Sequence, residues 1–246
     1  MPAPASPSAR RHRGEHSLQH GFGTAEIQMF KNPRTAAIAD ILAHRGVAAG
    51  ARVLVVGCGS GHEAAVLADM LKVDVTGIDI VANFDAAAGA RVRLQQGDAT
   101  AMVFGDASFD VVFSYHALEH IPDYDGALTE MRRVLKPGGL YCIGTPNRSR
   151  LLGYVGGASN WKQKLNWNVQ DLLMRLRGRF RNEFGAHAGY TAAELQGILR
   201  RHFATADDVS LIYYCNLYRG RQGLIKALGQ TGLARIAFPS IYFVGA

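Results

Sequence analysis

Three cysteines, at positions 58, 142 and 215, are all that 246 residues carry. They lie too far apart for metal-ligand spacing and cannot all pair, which points to reduced thiols in a cytoplasmic setting. No stretch of about 18 apolar residues occurs, so no membrane span is expected. The opening residues, rich in Pro, Ser, Ala and Arg, lack an apolar core. Residues 1–24 therefore read as a mobile basic tail rather than a secretory signal. Acids are also short: 20 against 27 Lys and Arg, a formal charge of +7. That surplus suits an anionic partner or surface without specifying nucleic acid. No Asn/Asp-Pro-Pro-Tyr motif and no appended RNA-binding module are present, so a nucleic-acid substrate is disfavoured.

What the chain does have is glycine, 28 in all, much of it where strands would turn into helices. Thr35 to His44 reads as an amphipathic helix, with Ile38, Ile41 and Leu42 at helical spacing. The short apolar run Arg52 to Val56 reads as a buried parallel strand. Further strands are expected at Val73–Ile78, Val92–Leu94, Phe109–Phe113 and Leu140–Ile143, with helices at Glu63–Lys72 and Asp125–Leu135. Pro137-Gly-Gly139 is expected to stop the latter helix. Alternating strands and helices imply an α/β, doubly wound, mostly parallel sheet with right-handed crossovers. Val209–Tyr214 and Ser240–Val244 read as a sixth and a seventh strand. Thr191-Ala-Ala-Glu194 has the form of a helix capping box.

The chemistry should lie at the carboxyl ends of the strands. Gly57-Cys58-Gly59-Ser60-Gly61 joins the first strand to its helix, where glycine permits positive φ and close approach of a ligand. Asp79 ends the second strand, 18 residues beyond Gly61, where a carboxylate can accept hydrogen bonds from both hydroxyls of a ribose. Asp98 ends the third strand, beside Ala99. After the fourth strand, His116, Glu119 and His120 are spaced i, i+3, i+4, so one helical turn would present all three on one face. They are candidates for the general base that an oxygen acceptor needs, with His120 expected beside the transferring group and Glu119 and His116 orienting it. The alternative is that Glu119 and His120 only hold the loop. His187 is a further candidate base; His62 could touch the ligand or simply begin a helix.

From Val53 to Asn147 the sequence resembles the class I S-adenosylmethionine (SAM) dependent methyltransferases, in the broad group that includes ubiquinone-pathway enzymes. The residues carrying the resemblance are Val53–Gly61 (VLVVGCGSG), Val75–Asp79 (VTGID), Gln96–Ala99 (QGDA), Ser108–Asp123 (SFDVVFSYHALEHIPD) and Val134–Asn147 (VLKPGGLYCIGTPN). The resemblance implies a seven-stranded Rossmann-like fold and SAM as methyl donor. It puts Gly57, Cys58, Gly59, Ser60 and Gly61 by the methionine part, Asp79 and Ile80 by the ribose and Asp98 with Ala99 by the adenine. Ser114 and Tyr115 would pass beneath the methionine. Family members usually carry an acid two positions before the first motif glycine; here Val55 stands there, which motivates an inactive SAM-binding scaffold as the non-enzymatic alternative. Related O-methyltransferases have a Glu-x-x-Glu-His arrangement that can hold a divalent metal such as Mg²⁺, which implies Glu119 and His120 as ligands. His116 replaces the first Glu, and a hard cation prefers oxygen.

Residues 25–246 then form the methyltransferase domain, with residues 151–186 an insertion that chooses the acceptor. Arg148 to Arg181 contains one acid, Asp171, and both tryptophans, Trp161 and Trp167. Leu172, Leu173, Leu176 and Phe180 fall at helical spacing among arginines. A lid, a dimer surface and a peripheral membrane contact all fit this basic amphipathic helix; a packed lid is preferred. Thr145-Pro-Asn-Arg148, His187-Ala-Gly-Tyr-Thr191 and the C-terminal strand resemble sugar methyltransferases of polysaccharide and glycoconjugate pathways. The expected reaction is O-methylation of a small acceptor, a saccharide or glycoconjugate precursor. A phenol or quinone precursor is the alternative. Monomer and homodimer both remain open.

Overall fold

The computed structural model describes residues 32–154, 159–184 and 187–246. The expected tail at residues 1–24 and parts of the insertion, 155–158 and 185–186, lie outside them. Helix α1 (Pro33–His44) opens with Asn32, whose side chain accepts from Arg34 N and Thr35 N, and with Pro at the first helical position. Then come β1 (Arg52–Val56), α2 (His62–Leu71), β2 (Asp74–Asp79), α3 (Ala86–Gly89), β3 (Arg93–Gln96) and β4 (Phe109–Tyr115). A 3-10 turn at Leu118–His120 leads to α4 (Tyr124–Val134) and β5 (Leu135–Pro146). The remaining elements are α5 (Trp161–Leu176), α6 (Ala192–His202), β6 (Asp207–Asp208), α7 (Ser210–Leu217), α8 (Gln222–Gln230), α9 (Ala234–Ala237) and β7 (Ser240–Gly245).

One seven-stranded sheet has the order β3-β2-β1-β4-β5-β7-β6. β1 to β5 pair in parallel, while β7 runs antiparallel to both β5 and β6. The alternation of β1 explains the two-sided core. Val53 and Val55 face one layer with Ala64 and Leu67 of α2; Leu54 and Val56 face the other with Leu128 and Met131 of α4. These side chains are almost wholly buried, and each Val, Leu and Met among them contributes roughly 1.5–3 kcal/mol as apolar area leaves water. The order reverses at β1 and β4, and a ligand crevice belongs at that switch point.

Three expectations change. Val209–Tyr214 is not a strand: Ser210–Leu217 is helical, and only Asp207–Asp208 pairs with β7. Tertiary packing overrides the strand propensity of Ile and Tyr, since Ser210, Tyr213 and Tyr214 are buried at i, i+3, i+4 spacing and Tyr213 stacks on Tyr242 at 3.9 Å. Pro137-Gly-Gly139 does not separate α4 from a later strand; β5 already begins at Leu135, and its register against β4 shifts between Phe109 and Val111. The insertion helix begins at Trp161 rather than Trp167 and ends at Leu176, so Phe180 lies beyond it, buried. Asn160 and Gln163 form a capping box at its start.

Candidate functional site

The glycine turn after β1 sits where the switch point requires a ligand. Gly57, Gly59 and Gly61 have φ of 71°, 53° and 88°. At Gly57 any Cβ would strike that of Ala117, so the loop closes against the chain leaving β4 only with glycine there. Asp79 Oδ2 accepts from Gly59 N at 2.8 Å and Oδ1 accepts from Val81 N at 3.0 Å. Each carboxylate oxygen keeps a further lone pair for a ligand hydroxyl. Asp98 Oδ1 accepts from both Thr100 N and Thr100 Oγ1 at 2.8 Å, and the backbone bond above all holds its carboxyl below the usual range.

These groups border a cavity of about 590 Å³. Of the expected cofactor residues, Gly57, Gly59, Asp79, Ile80, Asp98 and Ala99 line it. Cys58, Ser60 and Gly61 shape the loop without lining the cavity: Cys58 is buried, Ser60 O accepts from Asp85 N, and Gly61 packs on Leu94. Ser114 is fully buried behind it. Tyr115 faces a different cavity. Val55 is buried in β1, so the acids bordering the cavity are Asp79, Asp98 and Asp123. Gly97, Thr100 and the Ile121-Pro-Asp123 run also line it, and sequence reading did not single them out.

A second cavity, about 370 Å³, adjoins the first and, among the described residues, shares only His116 with it. Six tyrosines wall it (Tyr115, Tyr154, Tyr213, Tyr214, Tyr218 and Tyr242), with Trp167, Ser240, His187 and the cations Arg34, Arg150 and Lys164. The Tyr154 and Trp167 rings lie 5.0 Å apart. Burial raises the Tyr154, Tyr213 and Tyr214 hydroxyls, so they remain protonated donors. Arg150 anchors this wall. It is 4% exposed, pairs with Asp171 at 2.9 Å and donates to the carbonyls of Asn147, Ala188 and His187. The stretches 145–148 and 187–191 meet here: Tyr190 N donates to Pro146 O, Arg148 N to Tyr190 O, and the Arg148 side chain reaches Gly189 O and Glu194.

The four candidate catalytic residues converge, though not on one helical face as expected. His116 has φ 51° and precedes the 3-10 turn at Leu118–His120, so it does not share one helical turn with Glu119 and His120. Its Nε2 lies 3.0 Å from Ser240 Oγ, and its amide donates to Gly144 O. Burial pushes this imidazole down to about 3. A third of its side chain is still accessible, and it lines both cavities. Glu119 is buried between two imidazoles, 3.8 Å from His116 Nδ1 and 3.9 Å from His120 Nε2, and neither carboxyl oxygen has a hydrogen-bond partner among the described residues. Burial raises its carboxyl to about 7. His120 lines the first cavity and is half exposed; its ring meets that of His187 edge-on at 4.8 Å. Burial, then the neighbouring His187, lower it.

The expected metal pair, Glu119 and His120, does not extend to a binding set. Among the described residues no group of three or more His, Cys, Asp or Glu is placed to hold an ion. The insertion helix α5, expected as a packed lid, lines the second cavity with Lys164 and Trp167, and none of its residues is fully buried.

Comparison with known proteins agrees with the first cavity. Residues 54–143 match a family model described as a methyltransferase domain. A probable S-adenosylmethionine-dependent methyltransferase of Mycolicibacterium smegmatis is 36% identical over 154 residues, 60% of this chain and 56% of its own length. The 27-O-demethylrifamycin SV methyltransferase of Amycolatopsis mediterranei is 34% identical over 137 residues, 52% of this chain and 50% of its own length. The chain thus spans little more than half the length of these curated relatives. Among solved structures, Haemonchus contortus phosphoethanolamine N-methyltransferase 2, in complex with S-adenosyl-L-methionine, superposes with a TM-score of 0.52. That match covers 85% of this chain and 51% of that one at 21% identity, and bears on the fold alone.

Proposed function

We propose that this chain, which is similar to S-adenosylmethionine-dependent methyltransferases over residues 54–143 and beyond, is a class I SAM-dependent enzyme that methylates a hydroxyl of a small acceptor, a saccharide or glycoconjugate precursor. The observation that carries this reading is the pair of cavities joined at one side chain, His116. The first fits the cofactor: its volume suits a nucleoside-sized ligand, and its carboxylates and glycine turn suit ribose, adenine and methionine. Asp79 would take the ribose hydroxyls, Asp98 and Ala99 the adenine, and the Gly57–Gly59 turn the methionine part. When bound, SAM supplies an activated methyl group, which the acceptor oxygen takes as the carbon–sulfur bond breaks.

The protein's task is then alignment, exclusion of water and removal of one proton. His116 is the side chain that borders both cavities, and burial disfavours its charged form, so it is neutral near pH 7 and can act as a weak base while the methyl group is transferred. It takes the hydroxyl proton, with the Ser240 hydroxyl at 3.0 Å fixing its ring. His120 borders only the cofactor side of these two cavities, and His187 only the acceptor side. Support for a saccharide comes from the acceptor wall, whose aromatic faces can stack on a sugar ring while protonated tyrosines donate to its hydroxyls. The name of the Amycolatopsis relative supports oxygen as the acceptor atom. The test is SAM turnover against sugar, phenol and RNA acceptors with mass detection. Methylated sugar is expected; methyl transfer only to phenol or RNA, or SAM binding without any product, would overturn the reading.

A further inference from the structure

Helix α5 is amphipathic in the wrong sense for a soluble protein. A surface helix ordinarily buries its apolar stripe and gives its polar face to water. Here Trp161, Leu165, Val169, Leu172, Leu173 and Leu176 are 43–77% exposed. At 100° per residue they fall within an arc of about 120°. The preceding Leu151 and Leu152 are exposed too, at 72% and 63%.

The side turned to the protein is held by polar groups. Asp171 pairs with Arg150, Asn168 exchanges hydrogen bonds with Gly153, and Arg175 donates to Arg150 O and covers the Phe180 ring at 3.9 Å. These contacts fix which face is out. Sequence pattern alone could show the amphipathicity but not its direction.

We infer that α5 docks the protein on an anionic lipid bilayer, its leucine stripe entering the headgroup boundary. Charge selects this occupant. From Lys162 to Arg181 there are six basic residues and one acid, and that acid is engaged by Arg150. Lys162 borders the stripe, and Arg177, Arg179 and Arg181 follow the helix, all exposed. Apolar residues flanked by cations match an acidic membrane surface. A second copy meeting the same face would bring like charges together. Since Lys164 and Trp167 line the acceptor cavity from the other side of the helix, docking would hold that cavity within about a helix diameter, 10–12 Å, of the headgroups. The inference stands on α5 alone and does not depend on the methyl-transfer reading.

Both tryptophans of the chain lie on α5, so intrinsic fluorescence reports on this helix alone. Full-length protein should co-sediment with phosphatidylcholine vesicles containing phosphatidylglycerol and bind phosphatidylcholine alone at least about tenfold more weakly. Its tryptophan emission should shift to the blue, and brominated acyl chains should quench it. The double variant Leu165→Glu, Leu172→Glu changes two exposed positions and should lose partitioning at least tenfold while keeping its melting temperature and its affinity for S-adenosylhomocysteine. Wild-type protein that ignores anionic vesicles, or binds them with unshifted, unquenched tryptophans, would overturn the inference. So would a wild-type dimer that the double variant dissociates without any change in vesicle binding. Should the variant fold poorly, the quenching of wild-type tryptophan decides alone.

Discussion

The cavity at the carboxyl ends of β1 to β4 is built from short runs that each follow a strand, whereas the one across His116 is walled by side chains gathered from distant parts of the chain. The first draws on local runs: a glycine turn, a carboxylate ending β2, another ending β3 and the loop after β4. The second takes Arg34 from α1, Arg150 and Tyr154 from the stretch after β5, Trp167 from α5, Tyr213 and Tyr214 from α7 and Tyr242 from β7. A site made of short local runs tolerates little change in ligand. One made of side chains on separate elements can be rebuilt residue by residue, which suits a cofactor held in common and an acceptor that differs.

His116 is where the comparison is most easily broken. His116→Ala should slow turnover by roughly a hundredfold or more while leaving S-adenosylhomocysteine affinity by calorimetry nearly unchanged. His120→Ala should cost less. If the two effects come out reversed, the proton leaves through the cofactor side and the division of labour is wrong. The rate carried by His116 should not fall between pH 8 and 5, because its imidazole protonates only near 3.

The next contrast separates the cavities directly. Asp79→Ala removes ribose hydrogen bonds worth about 1 kcal/mol or more each, together with the acceptor for Gly59 N. SAM affinity should drop by about tenfold or more. Trp167→Ala should raise acceptor KM several-fold and spare SAM affinity. Equal losses in both affinities from either change would mean one merged site.

A smaller effect concerns Glu119. Burial raises its pKa from 4.5 to about 7, so it favours the neutral form in the folded state. Its contribution to stability is complete below pH 4.5 and is lost as pH rises through 7. Glu119→Gln stays neutral throughout, so its melting temperature should gain on wild type between pH 5 and 8, at about 2–4 °C per kcal/mol for a chain of this size. Glu63, raised by burial to the same value, is common to both proteins and cancels. A difference that does not vary with pH would mean the Glu119 carboxyl titrates normally.

The same contrast explains what could be read from sequence. The strands through β4, the glycine turn and the two strand-end aspartates announce themselves through short-range patterns, since each needs only neighbouring residues. Tyr213 and Tyr214 did not, because their segment has strand composition and becomes helical only when packed between α1 and Tyr242. His116 was legible as a candidate but not as the link between cavities, which depends on its left-handed backbone and on Ser240, 124 residues away. The exposure of α5 was likewise hidden, being set by polar partners such as Arg150.

The glycine-lined cavity should hold the cofactor with its sulfur directed to His116. A crystal structure with S-adenosylhomocysteine decides this: ribose hydroxyls are expected on Asp79, adenine beside Asp98 and Ala99, and the sulfur facing the tyrosine-walled cavity across His116. A nucleoside seated among Tyr154, Trp167 and Tyr214, or a sulfur pointing away from His116, would contradict it.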